Sequence, residues 1–133
     1  MKTKWVSVLV MGIISIGLVA CSAPSAISVD ATKSGTQVTI PTGGTLTITL
    51  DSNITTGYSW YQTANVSNTQ VLQQTSHEYK NPTTPALGAG GQEVWTIKAL
   101  NPGTSNVSME YRRPFEPATV APAKTFSLTV IVK

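Results

Sequence analysis

Thr45-Leu46-Thr47-Ile48-Thr49-Leu50 alternates a β-branched polar residue with a large apolar one. A period of two sends every Leu and Ile to one face and every Thr to the other, which describes a half-buried strand; a helix would scatter the same apolar residues around its axis. The alternation recurs at Val38 and Ile40, at Tyr58 and Trp60, and at Trp95, Ile97 and Ala99. It appears again at Val107, Met109 and Tyr111, and at Phe126, Leu128, Val130 and Val132. Pro41-Thr42-Gly43-Gly44 and Asn101-Pro102-Gly103 separate neighbouring runs with turn chemistry. Val71 to Tyr79 mixes apolar and Gln positions without a clean period and fits an edge strand. No run carries a helical period over ten or more residues. Six or more short strands without a helical crossover predict an all-β fold: an immunoglobulin-like antiparallel two-sheet sandwich with Greek-key connections.

The chain has 133 residues, enough for one small domain, with 41% hydrophobic and only 11% charged residues. Its formal charge of +3 includes Lys2 and Lys4. Without residues 1–20, seven cationic side chains face six anionic ones. Nucleic acid is excluded as a partner, because binding it needs a dense basic stripe that displaces counterions from phosphates.

Lys2 and Lys4 precede an uncharged stretch from Trp5 to Ala20 that ends in Leu18-Val19-Ala20-Cys21. Sixteen residues are short for a membrane span, which needs about 20, and suit a secretory signal. The tetrapeptide resembles a bacterial lipobox, whose cysteine is acylated and becomes the mature N-terminus. Residues 1–20 are therefore expected to be a lipoprotein signal peptide, 21–27 a flexible tether and 28–133 the folded domain. The expected location is the cell envelope, lipid-anchored through Cys21 to a membrane and exposed on its extracytoplasmic side. Cys21 is the only cysteine, so no internal disulfide can form.

Catalytic chemistry is poorly provided for. One His stands at position 77, and acids are scattered at 30, 51, 78, 93, 110 and 116. No G-x-S-x-G elbow presents a serine nucleophile. A zinc site wants three or four Cys, His or carboxylate ligands, and their spacing here proposes none. His77 is read as a solvated or partly packed side chain. The protein is expected not to be an enzyme and to need no metal or cofactor.

Three connections stand out. Asn53-Ile54-Thr55-Thr56-Gly57-Tyr58 carries no charge; Asn81 to Gln92 holds Gly88-Ala89-Gly90-Gly91; and Tyr111 to Pro117 places Arg112 and Arg113 beside Phe115 between two prolines. Greek-key connections after alternate strands gather at one end, so these loops are expected to form one surface. Glycines admit close backbone approach, prolines limit the entropy lost on binding, and Arg with an aromatic supplies anchors. Gly90 is expected to need both close approach and positive φ.

In this order and spacing the loops resemble the chagasin family of cysteine-peptidase inhibitors, whose pattern is N-P-T-T-G-F/Y, then G-x-G-G, then R-P-W/F-E. The matching residues are Asn53, Ile54, Thr55, Thr56, Gly57 and Tyr58; Gly88, Ala89, Gly90 and Gly91; and Arg113, Pro114, Phe115 and Glu116. Ile54 departs from the usual Pro, which implies a less rigid loop, and Phe115 stands where Trp is frequent. The resemblance implies a tight, reversible inhibitor whose partner is a papain-family cysteine peptidase; the protein is expected to be a monomer. It places Thr55 and Thr56 over the target's catalytic Cys and His, the glycine loop along one side of the cleft and Arg113, Pro114 and Phe115 against the other.

The competing reading is a surface-tethered carbohydrate-binding or adhesion sandwich, with Tyr58, Trp60, Tyr79 and Trp95 as stacking platforms. Trp95 shares a strand face with Ile97 and Ala99 and so reads as core. Asn53, Asn65 and Asn106 begin sequons, and a glycan on Asn53 would obstruct the first loop.

Overall fold

A computed structural model describes Gly17, residues 25–84 and residues 86–133. Cys21 and the segment read as a signal peptide lie outside the described residues. Nine strands run in chain order: β1 (Ala26–Val29), β2 (Thr36–Ile40), β3 (Thr45–Ser52), β4 (Ser59–Trp60), β5 (Asn65–Val66), β6 (Leu72–Lys80), β7 (Gly91–Ala99), β8 (Gly103–Arg112) and β9 (Lys124–Val132). Two single 3-10 turns, Ala31–Lys33 and Ile54–Thr56, complete the regular structure of the described residues.

The strands form two sheets. One has the order β1-β3-β7-β6; the other has the order β2-β9-β8-β4, with β5 also paired to β8. The sandwich is all-β, but its pairing departs from the antiparallel expectation at two edges. Strand β1 runs parallel to β3, and β2 runs parallel to β9. The chain enters along one sheet, crosses at Ala31–Lys33 and lays its next strand on the other sheet. Side-chain alternation is the same in either direction, which is why the sequence pattern does not distinguish them. β1 also begins at Ala26, inside the segment expected to be tether, and Ile27 is in register with Leu46.

The core follows the alternation. Leu46, Ile48 and Leu50 of β3 and Trp95, Ile97 and Ala99 of β7 face Val107, Met109 and Tyr111 of β8 and Phe126, Leu128, Val130 and Val132 of β9. Each fully buried aliphatic or aromatic side chain contributes about 1.5–3 kcal/mol of transfer free energy. With no disulfide among the described residues, this burial supplies the main driving force. Trp95 is wholly buried, and its indole N–H is shared between the carbonyls of Tyr61 (3.2 Å) and Gln62 (3.1 Å). Trp60 is buried as well, donating to the Asp51 carbonyl at 3.0 Å. Neither ring can act as a sugar platform.

β6 is the edge strand the sequence suggested. A bulge between Gln74 and Ser76 breaks its register against β7. An extra residue reverses the parity of everything beyond it, so the inward positions pass from Leu72 and Gln74 to His77 and Tyr79. The bulge also disrupts an otherwise exposed edge ladder, a known defence against edge-to-edge pairing.

Candidate functional site

β3 belongs to one sheet and β4 to the other, so the connection from Asn53 to Tyr58 crosses over the end of the sandwich. Asn53 organises it. Its Oδ1 accepts from the Thr55 amide (3.2 Å) and the Thr55 hydroxyl (2.5 Å), capping the 3-10 turn. Its carbonyl accepts from the Thr56 hydroxyl at 2.6 Å and from the Thr56 amide at 3.2 Å. Its own amide donates to the Tyr111 hydroxyl at 2.9 Å. Gly57 closes the turn with φ 80°, a left-handed conformation that glycine adopts without a Cβ penalty.

The second loop is bound to the first. Asn53 Nδ2 donates to the Gly88 carbonyl at 3.0 Å. Gly88 has φ 77° and lies in a turn closed by the Ala89 amide on the Ala86 carbonyl at 3.2 Å. Gly90, expected at positive φ, is not among the positive-φ glycines. A Cβ there would sit 3.4 Å from the Ser52 carbonyl, an ordinary if snug contact. Crowding falls instead on Gly91, where a Cβ would collide with the Lys80 carbonyl and lie 2.5 Å from the Tyr79 hydroxyl. The need for a missing side chain and the need for positive φ are therefore divided between Gly91 and Gly88.

The third loop closes on the first from the other side. Arg113 Nε donates to the Thr56 carbonyl at 3.3 Å, and its guanidinium carbon stands 4.4 Å from the centroid of the Tyr58 ring. Arg113 also pairs with Glu116 at 3.3 Å, across a turn closed by the Glu116 amide on the Arg113 carbonyl at 3.1 Å. The Tyr58 ring stacks on Tyr111 with centroids 5.4 Å apart, and Tyr111 meets Trp60 at 5.2 Å. Arg112 is directed elsewhere, with Nε 2.9 Å from Glu110 Oε2. Phe115 lies against Gly57: a Cβ on Gly57 would come within 3.4 Å of the ring.

All three loops thus meet, and each exposes one large apolar side chain: Ile54 at 50%, Phe115 at 75% and Leu87 fully. Leu87 was not singled out from sequence; its signal was a leucine amid Pro, Ala and Gly in a connection with no core to join. Around these tips are hydroxyls and backbone, with Arg113 and Glu116 neutralising each other.

The sequence reading also missed a cluster beneath the first loop. Glu93 is 2% exposed, and its Oε1 accepts from Ser52 Oγ at 2.6 Å and from the Trp60 amide at 3.1 Å. Its Oε2 lies 2.8 Å from His77 Nε2. Strand phase carried the signal, because Glu93 is in step with Trp95, Ile97 and Ala99, and Ser52 with Leu46, Ile48 and Leu50. The carboxylate stands between the hydroxyl and the imidazole, so His77 cannot take a proton from Ser52 as a nucleophile's base would. Among the described residues, no three His, Cys, Asp or Glu side chains group as a metal site.

Residues 39–130, a span that includes all three loops, match the family described as Chagasin family peptidase inhibitor I42. The chain belongs to the chagasin family. It is 32% identical over 83 residues to chagasin of Trypanosoma cruzi, covering 61% of this chain and 76% of chagasin. To amoebiasin-1 of Entamoeba histolytica it is 32% identical over 102 residues, covering 76% of this chain and 94% of the relative. A crystal structure of a cysteine protease inhibitor from Entamoeba histolytica superposes with a TM-score of 0.73 at 20% identity, covering 82% of this chain and 96% of that one; the likeness is of fold. The chagasin family comprises peptidase inhibitors, not enzymes, in keeping with a Ser–Glu–His cluster that cannot generate a nucleophile.

Proposed function

We propose that Asn53–Tyr58, Gly88–Gly91 and Arg113–Glu116 together enter the active-site cleft of a papain-like cysteine peptidase and block it reversibly. The observation that carries this reading is the joining of the three loops through Asn53 and Arg113 into one surface with an apolar tip on each. Ile54, Leu87 and Phe115 supply the buried anchors that dominate interface energetics, and an interface of about 800 Å² per partner suffices for tight binding.

The local backbone limits where such a wedge could be cut. A scissile carbonyl must be free to enter an oxyanion hole. The carbonyls of Asn53, Ile54 and Thr56 are already occupied, by Thr56, Gly57 and Arg113 respectively. The Thr55 and Thr56 hydroxyl protons are also committed, to Asn53. What these hydroxyls offer outward is lone pairs, suited to accept from the imidazolium of a thiolate–imidazolium pair. A glycan on Asn53 Nδ2 would replace one of its two amide protons and crowd the bond to the Gly88 carbonyl.

Residues 28–133 act, on this reading, as a monomeric inhibitor domain held to a membrane on its extracytoplasmic side by lipid on Cys21. Two or three acyl chains give stable attachment at about 0.8 kcal/mol per buried CH₂. Mass spectrometry of the mature N-terminus checks this: an acylated Cys21 is expected, and an unmodified start beyond residue 21 contradicts it. The inhibitory reading is checked by incubating the protein with papain and with trypsin. Papain activity should fall while the inhibitor keeps its mass, and trypsin should be unaffected; a protein cut between residues 53 and 58 would show that the loop is a substrate.

A further inference from the structure

We propose that the buried Glu93 carboxylate, backed by His77, is the positioning group of the first inhibitory loop, an inference that rests on the function proposed above. The two stems of that loop belong to different sheets: Ser52 ends β3, and Trp60 ends β4. One carboxylate oxygen, Glu93 Oε1, accepts from both, from Ser52 Oγ at 2.6 Å and from the Trp60 amide at 3.1 Å. The distance between the stems, and with it the arch of residues 53–59, is set at that single atom.

His77 holds the carboxylate in place. Its Nε2 meets Glu93 Oε2 at 2.8 Å, and its ring lies 5.0 Å from Trp95, whose indole N–H reaches the Tyr61 and Gln62 carbonyls just beyond the second stem. The bulge in β6 is what turns His77 inward. An apolar residue at position 93 would extend the Trp95, Ile97 and Ala99 face and would cost no desolvation, whereas a buried carboxylate is tolerated only when its lone pairs are filled. Stability alone thus does not account for a glutamate here; a fixed loop entry does. Glu93 and Ser52 are 2% and 3% exposed, so neither can touch a peptidase, and any effect they have on inhibition passes through the loop.

Three variants test this: Ser52→Ala, which frees one stem; His77→Phe, which keeps the packing on Trp95 but removes the donor to Oε2; and Glu93→Gln, which keeps an acceptor for both stems. Papain inhibition constants are measured beside ¹⁵N relaxation of the free protein. Ser52→Ala and His77→Phe should each weaken inhibition about tenfold, the consequence of losing a hydrogen bond to a charged group. In both, amide order parameters across Ile54–Gly57 should fall below about 0.6 while those of β3 and β7 stay rigid. Glu93→Gln should remain within about threefold of the parent, rescue by an isostere that preserves the geometry. Unchanged inhibition and unchanged loop order in Ser52→Ala and His77→Phe would overturn the proposal. So would order lost evenly across β7, which would mark Glu93 as a general packing group. If the parent protein does not inhibit papain, the functional reading fails, and the relaxation data still decide whether Glu93 orders the loop.

Discussion

Asn53 Nδ2 and the Gly88 carbonyl, 35 residues apart in sequence, are joined at 3.0 Å, so the first loop cannot move independently of the second. The same side chain caps the 3-10 turn through Oδ1. Asn53→Asp separates these roles, because a carboxylate can still cap but offers no proton to Gly88 and faces its carbonyl as a second acceptor. It should weaken papain inhibition by about 1–2 kcal/mol and leave the melting temperature nearly unchanged. Asn53→Ala, losing the cap as well, should cost a further ~1 kcal/mol. Inhibition constants and thermal melts of the two variants provide the comparison.

The exposed tips should separate binding from folding. Phe115 is 75% exposed and Leu87 fully so, and neither supports the core. Phe115→Ala should weaken inhibition by about 2–4 kcal/mol and Leu87→Ala by about 1–2, with circular dichroism and melting temperature as in the parent. A matching fall in melting temperature would show these residues to be packing groups instead.

Glycine substitutions should rank by geometry. Gly91→Ala drives a methyl into the Lys80 carbonyl and should unfold the site end of β7, a destabilisation of more than about 3 kcal/mol. Gly57→Ala meets both φ 80° and the Phe115 ring and should cost about 1–2 kcal/mol. Gly90→Ala, with neither positive φ nor a severe clash, should be mildest for folding. Denaturant midpoints for the three give the order directly.

Ile54 opens the 3-10 turn immediately after its cap, a position where proline is pre-organised. Asn53 already lies outside the α region that a following proline disfavours, at φ −122° and ψ 89°. Ile54→Pro should therefore tighten inhibition by up to about 1 kcal/mol by removing freedom from the unbound loop. Loss of the apolar tip works against it, so Ile54→Ala is the control that isolates the side chain's own contribution.

The alternation around Leu46, Ile48 and Leu50 made the sandwich readable from sequence, because burial on one face leaves a period that nothing else produces. The three loops were readable as composition. Their joining was not: the bonds from Asn53 to Gly88 and from Arg113 to Thr56 depend on where the strands end, which side-chain period does not encode. The β6 bulge hid His77, since an extra residue reverses parity without leaving a residue type that marks it. Glu93 was legible as an inward position, but an inward glutamate acquires meaning only when Ser52, Trp60 and His77 are seen around it. Parallel pairing of β1 and β2 was invisible for the reason alternation itself is informative: it reports faces and not directions.

The most direct test of the wedge is a titration of papain with the purified protein at several substrate concentrations. The account predicts competitive inhibition with a dissociation constant in the nanomolar range, roughly −12 kcal/mol. Absence of inhibition at micromolar concentrations of folded protein, or inhibition insensitive to substrate, would contradict it.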